Sequence, residues 1–144
     1  MALGKVTRLL PVALLLLISS CNVLLNDVER RSLAIVQLLT SETVDTTALA
    51  TMAGWSAGTD PQDLLLKNGP HVSLTYVKNR RRQGIALSYR VHNSEMMDHN
   101  KKQWVTIIVR EKISGPAQVV ATVVLGFKQN EQGVWSLQSI KTDG

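Results

Sequence analysis

Cys21 is the residue of this 144-residue chain whose neighbours most clearly assign it a chemistry. It is the only cysteine, so no disulfide can close within the chain. A lone thiol in an exported protein calls for some other use. The remaining reactive side chains are scattered. His92, Glu95, Asp98 and His99 share one polar stretch and carry metal-capable atoms. A metal needs ligands at fixed directions and distances, and this spacing follows no ligand motif, so solvation is expected and neither metal nor cofactor is. Glu111 is the only acid inside a strand-like segment, near its end, and is expected to be solvated because glutamate is rarely buried unpaired. Tyr76 and Tyr89 suit cross-strand packing with wet hydroxyls. There is no Gly-x-Ser-x-Gly elbow and no phosphate-cradling glycine loop. Gly54-Trp55-Ser56-Ala57-Gly58 does not open a helix after a strand. Catalysis is therefore unsupported. One compact charge cluster stands out, Lys78 with Arg80, Arg81 and Arg82. Placed on a hairpin turn, it is either a solvated guard against edge pairing or a contact for anionic headgroups or an acidic partner. Such contacts contribute about 1 kcal/mol per charge beside a membrane.

The residues ahead of Cys21 explain it. Lys5 and Arg8 precede a run from Leu9 to Ile18 that is apolar except for its own breaker, Pro11, and no acid appears before Asp27. The run is about half the roughly 20 residues that span a bilayer, and it lacks the polar stripe of a packed surface helix. Positive charge followed by a short apolar core is the pattern of an export signal. It ends in Ile18-Ser19-Ser20-Cys21, which resembles the lipobox of bacterial lipoproteins: an aliphatic residue, two small residues and cysteine. That resemblance implies a diacylglyceryl group on the Cys21 sulfur, cleavage between Ser20 and Cys21, and acylation of the new amine. Several acyl chains hold a protein on a membrane where one would not. The residue after the cysteine is Asn22 and not aspartate, which in that family's sorting pattern favours the outer membrane, periplasm-facing, over the inner one.

Removal of residues 1–20 leaves 124 residues with a net charge of +3, a length that suits one domain. A chain of that size buries about two-thirds of its unfolded surface, enough for a core. The small and mostly dispersed positive excess is no nucleic-acid footprint.

The elements follow from periodicity. Residues 21–26 form a lipidated tether, and 27–144 the domain. Asp27 is placed to cap a helix to Thr40 in which Val28, Ser32, Ile35 and Leu39 share one face. Asp45 or Thr46 caps a shorter helix carrying Leu49, Met52 and Ala53 and ending at Gly54. Asp60-Pro61 starts a third, closed by Asn68-Gly69-Pro70. From His71 the period becomes two: Val72, Leu74 and Tyr76 predict a strand, Asn79 and the arginine run its turn, and Ile85 to Val91 its partner. His92 to Lys102 reads as a polar loop. Trp104 to Ile113 is apolar enough to be central and covered on both faces. Ser114-Gly115-Pro116 turns the chain into Gln118 to Gln129, and a loop at Gln129 to Gly133 leads to a last strand from Val134 to Ile140. Helices followed by a meander give an α+β fold, with N-terminal helices on a curved antiparallel sheet of four to five strands.

That element order, with the tail Gly133-Val134-Trp135-Ser136-Leu137-Gln138-Ser139-Ile140, resembles the nuclear-transport-factor-2-like, cystatin-like superfamily. The resemblance implies a sheet curled around the first helix and a cone whose mouth is either packed or open to a small molecule. Its members include enzymes, ligand binders and parts of envelope assemblies such as type IV secretion systems. The expectation is a lipid-anchored, non-enzymatic interaction module of the bacterial envelope, joined to the membrane through Cys21 and docking on other envelope proteins, with a secretion or conjugation assembly as one setting. A small-molecule or lipid carrier using the cone is the alternative, and a small superfamily enzyme the third.

Overall fold

A computed structural model describes residues 24–55, 72–113 and 115–143. Three helices, α1 (Asp27–Leu39), α2 (Thr46–Ala53) and α3 (Val72–Arg82), pack on a four-stranded antiparallel sheet. The strands are β1 (Leu87–Met97), β2 (Lys102–Glu111), β3 (Gln118–Gln129) and β4 (Trp135–Thr142), hydrogen-bonded in chain order as an open meander. The α+β class and the helices-then-strands order are as the periodicity predicts.

α1 buries Val28, Ile35, Val36 and Leu39 along one stripe, with the Ser32 hydroxyl turned back onto Val28 O at 2.8 Å. Its cap is Asn26, whose Oδ1 accepts from Glu29 N at 2.9 Å, and not Asp27. Asp27 instead lies in the first turn with Glu29, where negative charge meets the positive end of the dipole. Asp45 caps α2 as expected, accepting from Ala48 N at 3.0 Å, and Gly54 ends it in the left-handed region at φ 73°. The helix expected from Asp60 and the residue His71 lie outside the described residues. None of the described helices is long and apolar enough to cross a membrane.

The sequence expectation fails between Val72 and Arg82, which form α3 and not a strand and turn. Val72, Leu74 and Tyr76 alternate, but Leu74 and Val77 also stand three apart, and it is that pair which enters the core. The straight-chain Lys78 and Arg80 to Arg82 favour helix. Over so short a run both periods fit, and tertiary packing decides.

A second difference concerns the loop expected at His92 to Lys102. β1 continues through it to Met97 after a bulge between Val91 and Asn93. Beyond the bulge β1 is an edge strand with little burial, so no apolar alternation marks it. The turn is short: Asp98, His99 and Asn100 all take left-handed φ values of 53°, 55° and 66°. Asn and Asp tolerate that region better than most residues.

Register sorts the sheet into two faces. The inner face carries Val105, Ile107 and Val109 of β2, Ala121, Val123, Leu125 and Phe127 of β3, and Leu137 and Ile140 of β4, all buried in one cluster with α1, α2 and α3. β2 is central in the sheet, as predicted. The prediction that both its faces are covered is corrected: the described helices all join the inner cluster, and Trp104, Thr106 and Arg110 of the outer face remain partly exposed.

Candidate functional site

The arginine run occupies the last turn of α3 and not a hairpin tip, and its three side chains reach β2, α1 and the loop after α1. Arg80 Nε donates to Glu111 Oε2 at 3.0 Å, on the inner face at the end of β2. Arg81 Nη1 donates to Gln37 O at 2.9 Å, a carbonyl in the last turn of α1 that also accepts from Ser41 Oγ at 2.9 Å. Arg82 lies 3.8 Å from Glu42 in an open surface pair. Lys78 is half-buried on the same helix. The cluster expected to reach for a headgroup or a partner thus makes internal ties with all three of its arginines.

Glu111 is correspondingly not solvated but only 8 % exposed. Besides Arg80 it accepts from the Tyr76 hydroxyl at 3.3 Å, and the Arg80 guanidinium stands 5.8 Å from the Tyr76 ring centre. A carboxylate held by a cation and a hydroxyl is a satisfied structural group. Tyr76 lies on a helix, so it and Tyr89 form no cross-strand pair; the Tyr89 hydroxyl lies 2.8 Å from Thr40 Oγ1, tying β1 to the end of α1. The extended β1 also separates His92, at the bulge, and Glu95, on the outer face, from Asp98 and His99 in the turn. Asp98 faces Lys102 at 3.9 Å. Among the described residues no three His, Cys, Asp or Glu side chains come together as a metal set. Ser20 and Cys21 lie outside the described residues.

The site that the sequence did not mark is the outer face of the sheet. Trp104 of β2 pairs across to Gly126 of β3 and lies over it. A Cβ on Gly126 would come within 2.9 Å of Trp104 Cζ3 and 2.6 Å of Ser139 Oγ, so only glycine lets the indole lie this close to the sheet. Lys141 Nζ of β4 stands 5.7 Å from the ring centre, a cation–π distance. The indole is half-buried and separates two surface hollows. One, of about 380 Å³, is lined by Asn93, Glu95, Met97, Thr106 and Val124. The other, of about 240 Å³, is lined by Lys102, Gly126, Lys128, Gln138 and Ser139. The sequence signal available was Trp104 opening an otherwise aliphatic strand, but its pairing with a glycine depends on register.

Comparison with protein-family models, with curated proteins and with solved structures returned no match. The functional reading therefore rests on this chain's own residues.

Proposed function

We propose that this chain is a lipid-anchored, non-enzymatic interaction module of the bacterial cell envelope, facing the periplasm. The observation that carries the proposal is Ile18-Ser19-Ser20-Cys21 behind a basic segment and a short apolar run. α1 begins at Asp27, only six residues after Cys21. An extended chain spans at most about 3.6 Å per residue, so a lipid on Cys21 would hold the folded domain close to the membrane surface. The docking surface would be the open outer face around Trp104, and the setting an assembly of envelope proteins such as a secretion or conjugation machine. The space between α1 and the sheet is filled by Ile35, Val36, Val105, Ile107, Val123 and Leu125. That filling favours an interaction module over a carrier with its ligand in a cone. The ionisable groups nearest the inner face, Glu111 and Arg80, neutralise each other, which gives little support to an enzyme.

The test is Cys21→Ala in the full chain, expressed in a bacterium fed labelled palmitate. The expected result is loss of label and loss of processing after Ser20. A Cys21→Ala protein that stays membrane-bound and keeps the label would overturn the proposal.

A further inference from the structure

The outer face holds the charge excess of the described domain. By register it carries Arg90, Lys102, Arg110, Lys128 and Lys141 against Glu95 and, opposite Thr122 at its edge, Asp143. Elsewhere among the described residues, acidic and basic side chains nearly balance. Lys102 and Lys128 are direct cross-strand partners, an arrangement in which like charges repel and destabilise the sheet. Asp98 relieves this only in part, because its 3.9 Å contact to Lys102 is between two exposed side chains. The repulsion is retained beside the half-exposed Trp104, the type of side chain that most often anchors an interface. Next to it lies the smaller hollow, bounded by Lys102, Lys128 and Gln138, with the Ser139 hydroxyl lacking any hydrogen-bond partner in its wall.

We propose that this face binds an acidic segment of an envelope protein, with an apolar side chain of that segment against Trp104 and its carboxylates against Lys128, Lys141 and Lys102. The proposal rests on the reading above that the protein is an envelope interaction module, and it names that module's partner chemistry. Charge complementarity selects an anion, and the two hollows beside the indole, of about 380 and 240 Å³, give room for the side chains of a peptide. A flat anionic membrane is a poorer match, because a sheet twists and a twisted face meets a plane at few points. The five cations also lie along all four strands and not around one rim.

The experiment uses the full-length protein in detergent micelles and three fluorescent probes: a peptide of alternating Glu and Leu, the same peptide with Ser for Leu, and a single-stranded oligonucleotide. Vesicles of phosphatidylglycerol serve as a fourth. The expected result is binding of the Glu/Leu peptide that weakens with salt, with weaker binding of the Ser peptide. Lys128→Glu with Lys141→Glu should reduce affinity roughly tenfold or more, as loss of an interface anchor does, and Trp104→Ala should do likewise. Both lysines are exposed, so the charge-reversal variant keeps its fold and remains informative if Trp104→Ala unfolds. Exposed Arg82→Ala, at the far end of α3, should leave binding unchanged. Equal binding of the Ser peptide, equal or tighter binding of the oligonucleotide, vesicle binding that falls with the charge reversals as far as peptide binding does, or indifference of peptide binding to the charge reversals would each overturn the proposal. A protein that keeps its palmitate and its membrane fractionation while failing these assays would retain the anchor reading and lose this surface. One that binds the peptide through Trp104 without being lipidated would show the converse.

Discussion

At the scale of single residues, three adjacent arginines do three different things, and their energetics should separate accordingly. Arg80 faces a carboxylate that is only 9 % exposed, whereas Arg82 and Glu42 are 57 % and 74 % exposed at a looser 3.8 Å. Removing one partner of a buried charged hydrogen bond leaves the other desolvated and costs about 2 kcal/mol. Arg80→Ala should therefore lower the unfolding free energy in urea by about that amount, and Arg80→Lys should restore only part of it, since an ammonium does not reproduce the planar guanidinium on the Tyr76 ring. Arg82→Ala should change stability by less than about 0.5 kcal/mol, the range of open surface pairs. Equal losses for the two alanine variants would contradict this assignment. Arg31 was equally unmarked in the sequence. Its Nε donates to Met52 O at 2.7 Å and its Nη2 to Trp135 O at 3.0 Å, with Phe127 5.2 Å below the guanidinium. One side chain on α1 thus joins the end of α2 to the start of β4.

At the scale of elements, two glycines set how closely neighbours approach. Gly54 ends α2 with a positive φ, and a Cβ there would overlap Trp135 O and come within 2.8 Å of Arg31 Nη2. Left-handed backbone alone costs a non-glycine residue about 1–2 kcal/mol, and the clash adds to it. Gly54→Ala should therefore destabilise the fold by more than about 2 kcal/mol, measured by urea unfolding. Gly126 has ordinary strand backbone, so its requirement is steric. Gly126→Ala should cost about 1–3 kcal/mol, the range for overpacking. It should also lift Trp104 off the sheet, seen as a red-shifted, more quenchable tryptophan emission once Trp55 and Trp135 are replaced by Phe. If the emission does not move, the close approach of Trp104 is wrong. α1 and β1 are joined at their other ends by Thr40 and Tyr89, so the meander is fastened to its helix at both ends.

At the scale of the whole molecule, the sheet's central pair carries the core. Val105, Ile107 and Val109 of β2 face Leu125, Val123 and Ala121 of β3, all with no exposed surface, while β1 beyond its bulge is largely exposed. Deeply buried central strands open only with global unfolding. Amide exchange should be slowest at residues 105–109 and 121–125, and distinctly faster at 93–97 of β1. Uniform protection across the four strands would argue against this distribution. The orientation of α1 has a further consequence. Arg31, near its start, meets Trp135 and Phe127 by the β3–β4 turn, whereas Gln37, near its end, meets Arg81. The arginine run therefore lies at the opposite end of α1, some 20 Å along a 13-residue helix, from where the chain leaves its proposed anchor.

The sequence by itself determined the features that local chemistry dictates. The order of helices before strands, the caps at Asp45 and Gly54, the β-branched run of β3 and the turn before Trp135 were all legible, because each depends on neighbours in the chain. Only the tertiary structure decided between helix and strand at Val72 to Arg82, since Leu74 and Val77 satisfy both periods until a core chooses one. Only the structure extended β1 through a polar stretch, because an exposed edge strand needs ladder hydrogen bonds and no apolar pattern. It also placed Arg80 beside Glu111, Lys102 beside Lys128 and Trp104 over Gly126. Those contacts arise from register and helix docking between residues far apart in the chain, and no local spacing encodes them.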